Sequence, residues 1–208
     1  MPAEPLKTEA FVLTRRPAAG SFQAFSLFSP EQGSMLALQR TPKKPTPGHV
    51  ALDLFDEASL DLESSNQGRT WFVREARILS RPSGIGRSYE ALQAASAFAS
   101  LIARNQVEAE SRPKVTALLR TVFGAFDRTG SPAVIYFKSL YRFAAEEGYP
   151  VKQQWLPSLP PHLRTQAQLL LRTPLATLEA SAVPDSEQKA LQRRLEDYLR
   201  ENTEILLE

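Results

Sequence analysis

The hydrophobic pattern of the chain changes period once, at Pro82-Ser83-Gly84-Ile85-Gly86, and that change constrains the fold more than any other feature. Before it, apolar residues come in short runs rich in Phe, Val and Leu, interrupted by Pro, Gly and Ser; after it they recur at helical spacing. A period of two puts successive side chains on opposite faces of a strand, whereas recurrence at i, i+3, i+4 and i+7 puts them on one face of a helix. The pattern therefore predicts an α+β chain, strands first and helices second, with residues 1–82 and 83–208 as two domains.

In the first part, Thr8 to Leu13 and Phe22 to Phe28 read as strands, with Pro17 and Gly20 in the gap. Ser29-Pro30-Glu31-Gln32-Gly33 has turn chemistry, Pro presetting φ and Gly free to take φ > 0, and Met35 to Leu38 is a third strand ending at Arg40. Thr41 to Gly48 holds three prolines and is an exposed loop. Val50 to Phe55 alternates and predicts a fourth strand, Ser59 to Glu63 continues the sheet after a turn at Asp56-Glu57, and Arg69 to Leu79 is a long last strand. Five or six strands in about 80 residues fit a small barrel, closed or partly open.

In the second part, Tyr89, Leu92, Ser96, Ala99 and Ile102 predict one helix face, and Val115, Leu118, Leu119, Val122, Phe123 and Phe126 another. Ser131-Pro132 opens a helix with a stripe of Val134, Phe137, Tyr141 and Ala144, and Gly148 and Pro150 stop it. Trp155 to Pro161 reads as a linker, His162 to Leu171 as a short helix and Thr173-Pro174 as the start of another. Asp185 with Gln188 resembles a capping pair for a last helix through Leu191, Leu195, Tyr198 and Leu199.

The net charge is only +2, yet the charge is segregated along the chain. Arg69 to Arg87 carries five arginines against Glu75, whereas Asp53 to Glu63 carries five acids and no base. Basic residues at strand ends and loops, Arg15, Arg16, Arg40, Lys43 and Lys44, together with Arg69, Arg74, Arg77, Arg81 and Arg87 along the last strand and its exit, are candidates for tracking a phosphate backbone. Arg74 and Arg77 are an odd number of residues apart and share a face only if the strand carries a bulge. Of Phe22, Phe25, Phe28, Trp71 and Phe72, which could stack on bases, one of each opposed set fills the barrel. Ser83-Gly84-Ile85-Gly86-Arg87-Ser88 could offer amides to a phosphate but reads more simply as an interdomain turn with Ser88 as helix cap.

Zero cysteines exclude disulfides and thiolate chemistry, and His49 and His162 stand far apart without a serine elbow, an HExxH helix or spaced acidic pairs. The chain reads as a protein that is not an enzyme and needs no cofactor. Without an apolar run of about 20 residues or a secretory leader, it is expected in the cytoplasm, away from membranes.

The order Lys7-Thr8-Glu9-Ala10 before Val12-Leu13, the turn at Gly20, the run Phe25-Ser26-Leu27-Phe28-Ser29-Pro30-Glu31-Gln32-Gly33 and the segment Arg40-Thr41-Pro42-Lys43-Lys44 resemble the amino-terminal domain of the RecO family of recombination mediator proteins. A helix from near Tyr89 and Tyr136-Phe137-Lys138-Ser139-Leu140-Tyr141-Arg142 through Gly148-Tyr149-Pro150 resemble that family's helical part. The resemblance implies an OB-fold followed by an all-α domain. It also implies a bacterial, nucleoid-associated role in DNA repair and recombination: binding single- and double-stranded DNA, annealing complementary strands and helping to load recombinase onto DNA coated by single-strand binding protein, with a RecR-type partner. Members bind the acidic, hydrophobic tail of single-strand binding protein on the helical domain, for which Arg120, Arg128, Lys138 and Arg142 are the candidates here. Many members carry a cysteine-ligated zinc module where this chain has Val151-Lys152-Gln153-Gln154-Trp155, so the resemblance is to a divergent member without zinc. Two other readings stand beside it. One is a protein-interaction adaptor whose OB-like domain no longer binds DNA; the other is a hydrolase or transferase that gathers His49 or His162 with carboxylates.

Overall fold

The computed structural model describes residues 5–18, 20–42, 44, 48–65, 69–128, 131–175 and 183–207. Five strands come first: β1 Pro5–Arg15, β2 Phe22–Ser29, β3 Gly33–Arg40, β4 Glu57–Ser65 and β5 Thr70–Ser80. A 3-10 turn at Ile85–Arg87 leads to α1 Tyr89–Arg104, α2 Arg112–Asp127, α3 Pro132–Glu146, α4 Trp155–Ser158, α5 Pro161–Arg172 and α6 Asp185–Asn202. The chain is α+β, a five-stranded sheet followed by helices. It divides into two units, Met1–Pro82 with Ile102–Thr116, and Ser83–Leu101 with Ala117–Glu208.

In the first unit the strand order is β1-β2-β3-β5-β4, and β4 pairs back onto β1 to close the ladder. All pairings are antiparallel except β3 with β5, which run parallel through only two partner pairs, Ala37 with Trp71 and Leu38 with Phe72. Inside lie Ala10, Val12, Phe25, Leu27, Met35, Ala37, Ala58, Leu60 and Leu62, with Trp71, Val73, Ala76 and Ile78 packed on them. These inward β5 positions change parity between Val73 and Ala76. Asp61 faces Glu75 and Leu62 faces Val73, so Arg74 is the extra residue of a bulge.

The β2–β3 turn forms as its residues dictate. Gly33 sits at φ 72, where a side chain would be strained, and a Cβ there would come within 3.0 Å of Arg112 Nε. The Arg112 guanidinium donates to the Glu31 carbonyl at 2.8 Å, and Ser29 Oγ accepts the Gln32 amide at 3.0 Å.

Val50 to Phe55 is not a strand. Buried Gln39 stands in for a ladder neighbour, its Nε2 donating to the Val50 carbonyl at 2.8 Å and its Oε1 accepting the Leu52 amide at 3.0 Å. Phe55 then takes φ 69, a rare conformation for a bulky residue, and its amide donates to the Val12 carbonyl at 2.9 Å. Leu52 and Phe55 are both buried although three residues apart, so burial here does not follow the alternation of a strand. The residues expected to turn, Asp56-Glu57, lead straight into β4.

Along the helices the α2 stripe is buried at every expected position, and Val134, Phe137 and Ala144 are buried on α3. The α3 helix gives way to Gly148 at φ 87. On α1 the expected face is wrong at its start. Tyr89 is 74% exposed and Leu92 37%, whereas Ala91, Ala95, Phe98 and Ile102 are buried. Weighting bulky residues over alanines misplaced the stripe, because small residues are buried as readily as large ones. Ser88 does cap α1, its Oγ accepting the Ala91 amide at 3.2 Å.

Trp155 to Pro161 is no linker. Trp155 is buried, its ring centroid 5.9 Å from that of Phe137 and 5.8 Å from that of Tyr141, with its indole N–H donating to the Arg194 carbonyl at 3.2 Å. The expected Asp185–Gln188 capping pair does not form. Gln188 is buried and donates instead to the Val183 carbonyl at 2.6 Å, while accepting from Ser131 Oγ at 3.2 Å. The helix expected after Thr173-Pro174 falls largely outside the described residues.

Candidate nucleic-acid interface and partner groove

On the outer face of β2, β3 and β5, register determines which side chains meet. With Phe25 and Leu27 inward, Phe22 points outward opposite Arg40, and Leu38 points outward opposite Ala24 and beside Phe72. Phe22 and Phe72 are half-buried and meet edge to face with ring centroids 5.6 Å apart.

Past the two-pair seam, β3 and β5 frame a cavity of about 560 Å³ lined by Arg40, Arg74, His49, Gln39 and Glu75 among others. His49 Nε2 donates to the Arg40 carbonyl at 3.0 Å, holding the loop against the end of β3. The loop between β1 and β2 reaches the same end, since the Thr41 amide donates to the Ser21 carbonyl at 2.8 Å and the Arg16 amide to the Ala24 carbonyl at 2.9 Å.

Exposed Arg15, Arg16 and Arg40 thus share one end of the sheet, with exposed Arg74 beside Arg40. The bulge at Arg74 also resolves the parity question: Trp71 and Val73 face inward before it, Ala76 and Ile78 after it, so Arg74 and Arg77 both point outward. Arg74 is paired with Glu63, an exposed contact that a phosphate can displace at little cost.

The other sequence candidates scatter. Arg69 is exposed on the far side of the seam, two residues before Trp71, and Lys44 is exposed in the loop after β3. Lys43 lies outside the described residues. Arg87 belongs to the second unit. Arg81 is committed to the fold. Its Nε donates to Asp56 Oδ1 at 2.8 Å and its Nη2 to Asp56 Oδ2 at 2.6 Å and to the Ala51 carbonyl at 2.8 Å. Asp56 is fully buried, and its hydrogen bonds to the guanidinium hold the Arg81 pKa above its ordinary value. The interdomain turn offers no free amide at Gly84, which donates to Asp127 Oδ1 at 2.6 Å; a Cβ there would lie 2.3 Å from the Asp127 carbonyl oxygen.

In the helical unit, the four residues named for a protein partner converge. A cavity of about 820 Å³ between α2, α3 and the end of α5 is lined by Arg120 of α2, Arg128 just past its last residue, Lys138 and Arg142 of α3, and Arg172 of α5, with Leu118, Tyr141 and Leu171 as apolar wall. The four-residue spacing on α3 brings Lys138 and Arg142 to one helix face, and Arg128 joins Arg120 at the groove from the residue that follows α2. Arg142 reaches Glu146 at 4.0 Å and stays 65% exposed.

Lys138 differs from the other three. Its ammonium is buried and donates to the Leu170 carbonyl at 2.7 Å and to the Thr173 carbonyl, closing the carboxyl end of α5. Burial, and then the charge of Arg142, push its pKa down to about 8. It shapes the groove wall, while the guanidiniums supply the reachable charge.

Among the described residues no group of three or more His, Cys, Asp or Glu could hold a metal ion, and no helix is long and apolar enough to cross a membrane. Sequence reasoning passed over His49 as a brace for Arg40 and could not choose between Phe22 and its neighbours; the face assignment of Phe22 was available from its parity with Phe25. Compared with protein-family models and with curated proteins, the chain matches none.

Proposed function

We propose that the chain is a non-enzymatic DNA-binding protein of recombination and repair, a divergent relative of the RecO family that binds single and double strands, anneals complements and is recruited by single-strand binding protein. The observation that carries this reading is the strand order β1-β2-β3-β5-β4 with its parallel β3–β5 seam. A five-stranded sheet closed in this way is consistent with an OB-fold, whose β2–β3 face and β1–β2 and β4–β5 loops bind oligonucleotides. That is where Phe22, Arg15, Arg16, Arg40 and Arg69 lie.

Arginines along such a face neutralise phosphates and lower the repulsion between two strands, so that annealing needs no covalent step. The helical groove suits the second half of the reading. Guanidiniums beside an apolar wall complement an acidic, hydrophobic peptide, the chemistry of the tail of single-strand binding protein. The same groove is what favours the second reading, an adaptor that keeps the protein partner and has lost DNA.

Fluorescence anisotropy with a labelled single strand at several salt concentrations, followed by annealing in the same buffers, tests both. Affinity that falls steeply with salt together with faster annealing supports the mediator. No binding at low salt, with the acidic tail peptide still bound, leaves the adaptor.

A further inference from the structure

Phe22 and Phe72 stand apart from the other phenylalanines of the sheet. Phe11, Phe25 and Phe28 are each no more than 3% exposed, whereas Phe22 and Phe72 point outward and keep accessible surface. They sit on the two strands that flank β3, Phe22 opposite Arg40 and Phe72 beside Leu38, and their rings meet edge to face with centroids 5.6 Å apart. Each has an exposed arginine at hand: Arg40 is the ladder partner of Phe22, and Arg74 follows Phe72 by two residues.

We propose that Phe22 and Phe72 form a base-stacking platform that makes this face prefer single-stranded to duplex nucleic acid, an inference that rests on the DNA-binding reading above. The occupant follows from the charge around the rings. Arginines on the rim match an anionic backbone, and fixed aromatic rings match exposed bases; a single strand supplies both. A duplex supplies only the phosphates, because its bases are already stacked on one another and must be pulled out before they meet a ring. The arginines therefore act on both forms of DNA, and the rings on one.

The test is anisotropy with oligothymidine and with a duplex of equal length, comparing the wild type with Phe22→Leu/Phe72→Leu, which keeps apolar side chains but removes the rings, and with Arg40→Ala/Arg74→Ala. The leucine variant is expected to weaken single-strand binding about tenfold or more while leaving duplex affinity within about twofold and the salt slope unchanged. The arginine variant is expected to weaken both forms and flatten the slope. A second readout needs only the wild type: a single strand carrying 2-aminopurine is quenched when that base stacks on a ring, and the matched duplex shows no further quenching. Leucine variants that weaken both forms alike or neither, or the absence of single-strand quenching, overturn the platform while DNA binding stands. Wild type that binds neither form overturns the DNA-binding reading itself.

Discussion

The sheet and the helical unit each collect a cluster of arginines, and they do so by different routes. On the helices the cluster is assembled mainly by spacing: Lys138 and Arg142 fall on one face of α3, and Arg128 joins Arg120 from the residue that follows α2. On the sheet it is assembled by register and by a defect. Arg40 and Arg74 line one cavity past a seam of two partner pairs, and Arg74 joins Arg77 on the outer face only because a bulge at Arg74 reverses the alternation. Each unit also has one cation committed to an intramolecular partner, Arg81 on the buried Asp56 carboxylate and Lys138 on the carboxyl end of α5. A basic residue's sequence neighbourhood therefore says little about whether its charge is available to a ligand.

The sharpest way to break that distinction is to remove the committed cations. Arg81→Ala leaves the buried Asp56 carboxylate without its guanidinium and is expected to destabilise the protein by about 3 kcal/mol, read as a lower midpoint in urea unfolding. Arg77→Ala, three positions from a bulge on an exposed face, should change stability by less than about 0.5 kcal/mol. If the two variants melt alike, Asp56–Arg81 is not the brace that its geometry indicates.

The two clusters should also separate by ligand. Arg120→Ala/Arg128→Ala/Arg142→Ala is expected to lower affinity for an acidic, hydrophobic peptide at least about tenfold in calorimetry and to leave oligonucleotide affinity nearly intact. Arg40→Ala/Arg74→Ala should do the reverse, reducing the salt slope for a single strand by about 1.4. Peptide and DNA affinities that fall together in either variant would merge what the comparison keeps apart.

The smallest effect expected is a pH dependence. The folded chain gives up the Lys138 proton near pH 8, whereas the unfolded chain keeps it to about 10.5, so the unfolded state binds more protons between those values and stability rises with pH across that window. Tyr136 acts oppositely at higher pH. Burial, with Glu196 adding to it, pushes its pKa up to about 12, so the folded chain holds a proton the unfolded chain has lost from about pH 10, and stability falls. Thermal melts at stepped pH should show the rise, and Lys138→Met should abolish it.

Much of this was legible in the residues. The strand-to-helix change near Pro82, the α2 stripe, the Gly33 turn and the Gly148 stop follow from local rules of period and backbone freedom, and these rules act within a few residues. The α1 face was misread because two exposed bulky residues, Tyr89 and Leu92, outweighed the buried alanines. Val50 to Phe55 was misread because it alternates as a strand does, while the hydrogen bonds that hold it come from the Gln39 side chain, more than ten residues away, and not from a ladder. Trp155 was misread because prolines on its carboxyl side suggested a loop, while the partners that bury it come from α3 and α6.

The sequence by itself determined the class of the chain, the approximate order of its elements, the absence of thiol chemistry and the helical pair of cations on α3. Only the tertiary structure decided which cations brace the fold, which aromatics face outward and where the sheet closes. Those properties depend on partners brought together by register, by a bulge and by long-range hydrogen bonds, and no local pattern of residue types encodes them.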